Sequence, residues 1–138
     1  MISSRLLIDT GPLVALLDES ERDHDRCVQV LRQASLRLST TWPVITEAAY
    51  LLGSWFRGPD ALLELIERGD LTLLPLDAAD ASRLRALMHK YRDLPMELAD
   101  ASLVRVAERE LIDTVFTLDR RDFSIYRLPR GKEFTIVP

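Results

Sequence analysis

Residues 5–17, RLLIDTGPLVALL, hold an apolar run that ends in an aspartate and turns at once into a second apolar segment. The run Arg5–Ile8 predicts a short buried strand, because its apolar residues are consecutive and the run is too short for a helix. Thr10–Pro12 then predicts a turn into a helix through Leu13–Leu17, since proline suits the first helical turn, where its missing N–H is not needed. The chain therefore opens with a strand that leads directly into a helix.

Strand-like and helical patterns keep alternating along the chain, with no linker, repeat or low-complexity segment between them. This alternation predicts one domain over residues 1–138, with a parallel sheet covered on both faces by helices. In such sheets, ligands gather at the C-terminal ends of the strands. The predicted helices cover Glu21–Ala34, Trp42–Phe56, Ala61–Arg68, Ala78–Tyr91 and Met96–Glu110, and the later strands Leu36–Ser39, Leu71–Leu76, Thr114–Leu118 and Glu133–Val137.

The composition is that of a globular domain. Of the 138 residues, 47% are hydrophobic and 29% are charged. A chain of this length and composition can bury a hydrophobic core without disulfide bonds or structural metal ions. A single cysteine, Cys27, and two histidines exclude an internal disulfide and a Cys/His zinc cluster, so a cytoplasmic setting is the simplest expectation. No apolar run reaches membrane-spanning length, so we expect no membrane association. With a net charge of −4, binding of nucleic acid would need cations or a local basic patch.

Two aspartates close predicted strands. Asp9 follows Leu6–Ile8, and Asp119 follows Val115–Leu118. For each of them, a role as a turn or helix-capping residue is as good an explanation as a functional role, since aspartate is common in turns and at helix caps. Their position at strand C-termini is nevertheless where a parallel sheet places its chemistry.

A third aspartate, Asp100, falls on the apolar face of the helix predicted over 96–110. An unpaired carboxylate there is costly, so it needs a cation, a cluster of donors or a raised pKa, unless it pairs with an arginine or caps a neighbouring helix. Glu97 borders the same face one turn earlier and is also typical of a helix start. On a helical wheel of this segment, Asp100 shares a face with Leu103, Val104, Ala107 and Leu111. The opposite, solvent-facing side carries Ser102, Arg105 and Arg109.

A fourth acid, Glu47, lies at the edge of the apolar stripe between Val44 and Leu51, where a glutamate is usually solvated. If the strand ends and helices meet at one crevice, four carboxylates would repel one another and their pKa values would rise. A divalent metal removes that conflict, and ligands that are all oxygen suit Mg²⁺ or Mn²⁺ rather than zinc. Such an ion can activate water and orient a phosphate, and no serine, cysteine or histidine stands out as a nucleophile.

Taken in order, four short motifs resemble the PIN domain, and most closely its VapC-like toxins from toxin–antitoxin pairs. Each motif is weak alone, but the ordered set covers nearly the whole chain. The motifs are Leu7-Ile8-Asp9-Thr10, Thr46-Glu47, Leu98-Ala99-Asp100-Ala101, and Thr117-Leu118-Asp119 followed by Phe123.

The resemblance implies a three-layer α/β/α sandwich with a central, mostly parallel sheet of four to five strands. It also implies an Mg²⁺- or Mn²⁺-dependent endoribonuclease that forms a homodimer and is often blocked by a small antitoxin. Asp9, Glu47, Asp100 and Asp119 would form the acidic quartet, with Asp9 and Asp100 as the surest metal ligands and the other two supporting a second ion or the water. Thr10 and Thr117 would orient carboxylates through hydrogen bonds.

Basic and apolar segments suggest where partners bind. Arg120 and Arg121 lead a basic segment just beyond Asp119, which is either a solvated loop or a rim that contacts RNA phosphates. The apolar content of Trp42–Leu65 is high for a small domain and predicts a dimer interface, with Trp55 in the core or at that interface.

Two other functions stay open from the sequence. One is an aspartate-dependent phosphatase with Asp9 as nucleophile, which would need a lysine at a strand end, and no strand end offers one. The other is a non-catalytic RNA- or protein-binding domain that keeps the fold. An intact acidic quartet argues against it, but only an assay separates the two.

Overall fold

Five parallel strands form the centre of the protein in a computed structural model that describes residues 5–33, 37–53 and 57–138. The described residues form seven strands in all: β1 (Arg5–Ile8), β2 (Arg37–Thr40), β3 (Leu71–Leu73), β4 (Thr114–Phe116), β5 (Arg127–Leu128), β6 (Lys132–Glu133) and β7 (Thr135–Val137). The main sheet has the order β3-β2-β1-β4-β7, and all of its neighbours run parallel. Strands β5 and β6 form a separate antiparallel pair.

Helices flank the sheet on both faces. Consecutive residues of a strand point to opposite faces, yet Leu6, Leu7 and Ile8 are all fully buried. Both faces of β1 must therefore be covered, which confirms the predicted α/β/α arrangement. The helices are α1 (Thr10–Leu17), α2 (His24–Arg32), α3 (Trp42–Leu51), α4 (Arg57–Glu67), α5 (Ala81–Lys90), α6 (Leu98–Glu110) and α7 (Arg120–Phe123), with short 3₁₀ turns at Ala78–Asp80 and Pro129–Gly131.

Helix α4 begins earlier than predicted. It starts at Arg57 and includes Pro59, because a proline in the first helical turn removes no intrahelical hydrogen bond. Gly69 follows with a φ of +83°, the left-handed conformation that commonly ends a helix. The predicted end of the preceding helix at Phe56, and Trp55 with it, lie outside the described residues; the helix that is described, α3, ends at Leu51.

Helix α6 is more deeply buried than its sequence predicts. Ser102, predicted on the solvent side, is fully buried, and its hydroxyl lies 2.7 Å from that of Thr41 at the start of α3. Arg105 and Arg109, predicted on the same side, are only about a quarter exposed, because both bind the buried carboxylate of Asp80. The prediction was wrong on this face, since other elements cover it.

Asp80 ties the segment before α5 to α6. Its Oδ1 accepts a 2.8 Å hydrogen bond from Arg105 Nε, and its Oδ2 accepts one of 3.0 Å from the Asp77 amide. These donors hold the pKa of Asp80 below its usual value, the Asp77 amide most strongly. A buried, fully bonded carboxylate therefore fixes α6, the helix that carries Asp100.

None of the helices in the described ranges is both long enough and apolar enough to cross a membrane.

Candidate active site

The winding of the sheet reverses between β1 and β4. From β1 the chain moves outward through β2 and β3 on one side, whereas β4 and β7 occupy the other side of β1. In an open parallel sheet, the crevice at such a point lies beyond the C-terminal ends of the two strands. Asp9 leaves β1 there, and its amide donates a 2.9 Å hydrogen bond to the carbonyl oxygen of Phe116, the last residue of β4.

Asp9 is held firmly at the floor of this crevice. Its side chain accepts 2.8 Å hydrogen bonds from the Thr10 amide at Oδ1 and from the Thr117 hydroxyl at Oδ2, and the residue is only 8% exposed. Burial raises the pKa of Asp9 to about 6 despite these two bonds, with smaller contributions from the charges of Glu47 and Asp119.

The two threonines predicted to orient carboxylates behave differently. The Thr117 hydroxyl donates to Asp9 and accepts a 2.9 Å hydrogen bond from the Asp119 amide, so it links the two strand ends. Thr10 contacts Asp9 through its backbone amide, while its buried hydroxyl has no hydrogen-bond partner in the described part of the chain. The helical turn that begins at Thr10 brings its amide, rather than its hydroxyl, to the carboxylate.

Asp100 faces the same crevice from the first turn of α6. Its Oδ2 accepts a 3.2 Å hydrogen bond from the Tyr126 hydroxyl, and the Glu97 amide also stabilises its charged form. Burial, followed by repulsion from Asp9, nevertheless raises the pKa of Asp100 to about 6. In the part of the chain that the structure describes, none of the ion pairs involves Asp9 or Asp100, so the alternative of an arginine partner for Asp100 does not hold.

Glu47 approaches from α3. It is half-buried, and its pKa is raised by burial and then by the charges of Glu97 and Asp100. Glu97 is exposed at the N-cap position of α6, where acids favour helix formation, and it lines the crevice as well. Glu47, Glu97 and Asp100 therefore lie near one another along the crevice.

Asp119 caps a short helix and also lines the crevice. It is exposed at the start of α7, where its carboxylate accepts a 3.1 Å hydrogen bond from the Asp122 amide, and it also lines the crevice. Asp122 lies beside it, and burial together with the charge of Asp119 raises the pKa of Asp122. The sequence reasoning missed Asp122, because α7 is a single turn with no apolar periodicity to reveal it.

The crevice has a volume of about 530 Å³ and an unusual lining. Six of the lining residues carry carboxylates. Within the described ranges, no lining residue is basic. The acids are Asp9, Glu47, Glu97, Asp100, Asp119 and Asp122, and the other lining residues are Thr10, Gly11, Leu51, Pro95 and Leu118.

This donor set fits a hard divalent cation by its chemistry, since it offers oxygen atoms only and an excess of negative charge. The side chains do not converge on one point, however. Across the residues described, no three Asp, Glu, His or Cys side chains are grouped closely enough to hold a metal ion ready-made. Mutual repulsion between carboxylates opposes such convergence when no cation lies among them.

The two arginines predicted to contact RNA lie in α7, next to the crevice but outside its lining. Both are exposed, and the Arg120 guanidinium donates to the carbonyl oxygen of Pro138 at the end of the chain. Further along the same basic segment, Arg127 bonds three backbone carbonyls, and Lys132 pairs with Asp113 at 2.6 Å. Much of the segment's charge is thus engaged within the protein.

A parallel sheet with helices on both faces, and with acids at the point where its winding reverses, places the protein in the doubly wound α/β class. Comparison of the sequence with known proteins identifies the family. Residues 6–129 match the family model of the PIN domain. The chain is also 32% identical over 136 residues to Ribonuclease VapC26 of Mycobacterium tuberculosis, an alignment that covers 96% of this chain and all of that protein. The chain therefore belongs to the PIN domain family, in its VapC-like branch.

Solved structures share the fold. The crystal structure of M. tuberculosis VapC20, described as a sarcin–ricin loop cleaving toxin, matches with a TM-score of 0.73 at 14% identity, covering 80% of this chain and 86% of that one. A toxin–antitoxin complex from Klebsiella pneumoniae matches at 0.64 and 17% identity, and FitAcB from Neisseria gonorrhoeae at 0.61 and 19%. Each of those two alignments covers 96% of both chains.

Proposed function

We propose that this protein is a divalent-metal-dependent endoribonuclease that hydrolyses RNA phosphodiesters with Mg²⁺ or Mn²⁺. The observation that carries the proposal is the crevice, which presents six carboxylates and, among the residues described, no basic side chain at the reversal point of the sheet. An RNA phosphate could enter so negative a site only together with cations. The name of its 32% identical relative, a ribonuclease, supports the same reaction.

Asp9 and Asp100 are the strongest candidates for metal ligands, because Asp9 is buried and Asp100 is half-buried in the crevice, and no arginine or lysine in the described part of the chain neutralises them. Glu47 and Asp119, at the margins, would support a second ion or orient the attacking water, and Glu97 stands beside Glu47. When bound, the ion would supply activation of water, orientation of the phosphate and neutralisation of charge on the leaving oxygen.

The chain's own residues prepare the site in two ways. The Thr117 hydroxyl and the Thr10 amide hold both oxygens of Asp9 in fixed positions. The described lining contains no serine, cysteine or histidine, which favours direct attack by water over a covalent intermediate on the protein. Arg120 and Arg121, exposed beside Asp119, would contact phosphates flanking the one that is cut.

We further propose that the protein acts as the toxin of a toxin–antitoxin pair and is held inactive by a small antitoxin. Its VapC-like relative and the fold shared with the Klebsiella pneumoniae toxin–antitoxin complex support this role. We propose one PIN domain over residues 1–138 and a cytoplasmic setting, which suits a protein whose single cysteine, Cys27, is buried.

A homodimer is also proposed, through an apolar surface next to the crevice. Helix α3 exposes Trp42, Tyr50 and Leu51, at 52%, 83% and 55%, and Leu98 at the start of α6 is 50% exposed. Trp42, Tyr50 and Leu98 line one shallow groove together with Glu47 and Glu97. Large exposed apolar side chains grouped in this way are typical of protein interfaces.

The aspartate-dependent phosphatase is disfavoured by the position of the lysines. The sequence contains two, Lys90 and Lys132, and neither lines the crevice. Lys132 is paired with Asp113, which precedes β4. Asp113 therefore lies at the N-terminal ends of the strands, whereas the crevice lies at their C-terminal ends. A phosphoryl group on Asp9 would have no lysine beside it.

The proposal is tested by cleavage of structured RNAs in the presence of Mn²⁺, comparing the wild type with Asp100→Asn and Asp70→Asn. Asp70 is a half-exposed acid just before β3, at the sheet edge remote from the crevice, and serves as the matched control. We expect cleavage by the wild type and by Asp70→Asn, loss of cleavage in Asp100→Asn, and none in EDTA. Equal cleavage by all three proteins, or cleavage in EDTA, contradicts the assignment, and RNA binding without cleavage by any of them supports the non-catalytic domain.

A further inference from the structure

Tyr126 is a fully buried residue whose polar atom reaches the candidate active site. It lies beyond α7, just before β5, and is 0% exposed. Its hydroxyl donates a 3.2 Å hydrogen bond to Asp100 Oδ2, across 26 residues of chain. A buried tyrosine normally satisfies its hydroxyl, and this one does so on a carboxylate that faces the crevice.

The ring of Tyr126 is fixed by aromatic neighbours. Tyr91 and Phe123 pack against it edge to face, with ring centroids at 5.0 and 5.1 Å and interplanar angles of 67° and 81°. Phe134 packs in the same manner against Phe123, at 5.5 Å. Because the ring cannot tilt without disturbing this cluster, the position of its hydroxyl is set by the core.

A hydrogen bond at this point controls the direction of the Asp100 carboxylate. The terminal torsion of an aspartate is soft, so burial alone does not choose the orientation of its two oxygens. Tyr126 engages Oδ2 from the core side, and the Glu97 amide stabilises the carboxylate from the start of α6.

The chemical nature of the donor matters as well. A phenol is neutral, whereas an arginine or lysine in the same place would cancel the charge of Asp100 and compete with a cation. Tyr126 can therefore orient the carboxylate and leave its negative charge available to the crevice.

We propose that Tyr126 is a positioning residue that sets the Asp100 carboxylate for binding of the divalent cation. The inference rests on the proposed function, because it assigns Tyr126 a role in the same site. It requires that deletion of one hydroxyl weakens cation binding while the aromatic packing is kept.

The chain offers a matched pair of variants for the test. Tyr126→Phe removes the hydroxyl that faces Asp100, and Tyr91→Phe removes the hydroxyl that accepts a 2.9 Å hydrogen bond from the Arg127 amide in the same cluster. Both variants keep every ring, and each loses one partly buried hydrogen bond. They should therefore shift the urea unfolding midpoint by similar amounts.

Binding of MnCl₂ to the RNA-free protein, measured by titration calorimetry, separates the two variants. We expect Tyr126→Phe to weaken Mn²⁺ affinity by about 10-fold, the lower end of what loss of a residue that supports a metal ligand costs, and Tyr91→Phe to stay within about twofold of the wild type. RNA cleavage by Tyr126→Phe should fall at limiting Mn²⁺ and recover at saturating Mn²⁺, which a general loss of stability would not produce.

The outcomes distinguish this inference from the function on which it rests. If the wild type binds Mn²⁺, Asp100→Asn does not, and Tyr126→Phe binds as the wild type does, the positioning role is wrong and the metal site stands. Equal weakening by Tyr126→Phe and Tyr91→Phe also overturns it, because the effect would then come from the packing. If the wild type neither binds Mn²⁺ nor cleaves RNA, both the proposed function and the inference fail.

Discussion

The hydroxyl of Thr117 donates a 2.8 Å hydrogen bond to Asp9 Oδ2, joining residues 108 positions apart in the chain. The oxygen of the Thr117 hydroxyl in turn accepts a 2.9 Å hydrogen bond from the Asp119 amide. One small side chain thus connects the ends of β1 and β4 and orders two of the predicted acids at once. Since both contacts lie where the winding of the sheet reverses, they couple the stability of the fold to the geometry of the site.

Replacement of Thr117 by valine should damage stability and metal binding together. Valine keeps the shape but leaves Asp9 Oδ2 without its donor and the Asp119 amide without its acceptor, so we expect a loss of roughly 1–3 kcal/mol in the free energy of unfolding. Urea denaturation and Mn²⁺ titration measure the two effects. Thr117→Ser, which keeps the hydroxyl, should retain most of both. If serine and valine behave alike, the hydrogen bonds are unimportant.

The raised pKa of Asp9 predicts an unusual dependence of stability on pH in metal-free protein. The folded-state pKa of about 6 exceeds the ordinary 3.8, so the folded state binds the proton more tightly. The stability that this gives is complete below pH 3.8 and is lost as the pH rises through about 6.

Asp9→Asn removes this titration and also one of the two hydrogen-bond acceptors of Asp9, so in EDTA its stability relative to the wild type should rise by about 2 kcal/mol between pH 4.5 and pH 8. Urea denaturation at the two pH values tests this. The control Asp70→Asn should show little effect at either pH, because Asp70 is half-exposed. A difference in stability between Asp9→Asn and the wild type that is the same at both pH values would contradict the prediction.

Asp80 should show the opposite pH dependence. Its pKa is lowered, chiefly by the Asp77 amide and by Arg105, so the stability it contributes is present above its unfolded-state pKa and is lost as the pH falls. Asp80→Ala leaves Arg105 and Arg109 without their buried partner, and we expect a loss of roughly 2–4 kcal/mol at neutral pH.

Chemical denaturation measures the loss in Asp80→Ala. The comparison is Glu64→Gln, which breaks the exposed pair of Glu64 with Arg68 and should cost less than about 0.5 kcal/mol. Similar losses in the two variants would show that burial of the Asp80 network adds nothing.

Arg120 and Arg121 are predicted to contribute to RNA affinity through charge. Replacing both with alanine should weaken binding to single-stranded RNA and reduce the slope of log affinity against log salt by about 1.4, at roughly 0.7 per phosphate contact. Fluorescence anisotropy with Asp100→Asn protein avoids cleavage during the measurement. Arg68→Ala, near the opposite edge of the sheet, is the control. An unchanged slope in the double variant would place the RNA-binding surface elsewhere.

The apolar surface on α3 and α6 predicts the oligomeric state. Sedimentation velocity at micromolar concentration should show a dimer for the wild type and a monomer for Tyr50→Glu, because a buried charge would disrupt the interface. Leu111→Glu changes an equally exposed residue, 89% accessible at the far end of α6, and should remain dimeric. A monomeric wild type excludes the proposed dimer.

The fold and the position of Asp9 were predictable because their signals are local. A strand covered on both faces needs consecutive apolar residues, so the run Leu6–Ile8 predicted β1. Asp9 was recognisable as the residue that follows this strand. Five parallel strands were found within the predicted range of four to five. The short antiparallel pair β5–β6 and the single-turn α7 were missed, since neither is long enough to show a period.

Contacts between distant segments were decided by the tertiary structure alone. A helical wheel describes directions around one helix axis but not what other elements cover, so it placed Ser102 in solvent, whereas packing against Thr41 buries it. For the same reason no pattern linked Tyr126 to Asp100 or placed Asp122 in the crevice. The sequence alone determined which acids follow strands and begin helices. Packing and the reversal of the sheet determined that they meet, because hydrogen bonds and electrostatic repulsion depend on separation in space and not on separation along the chain.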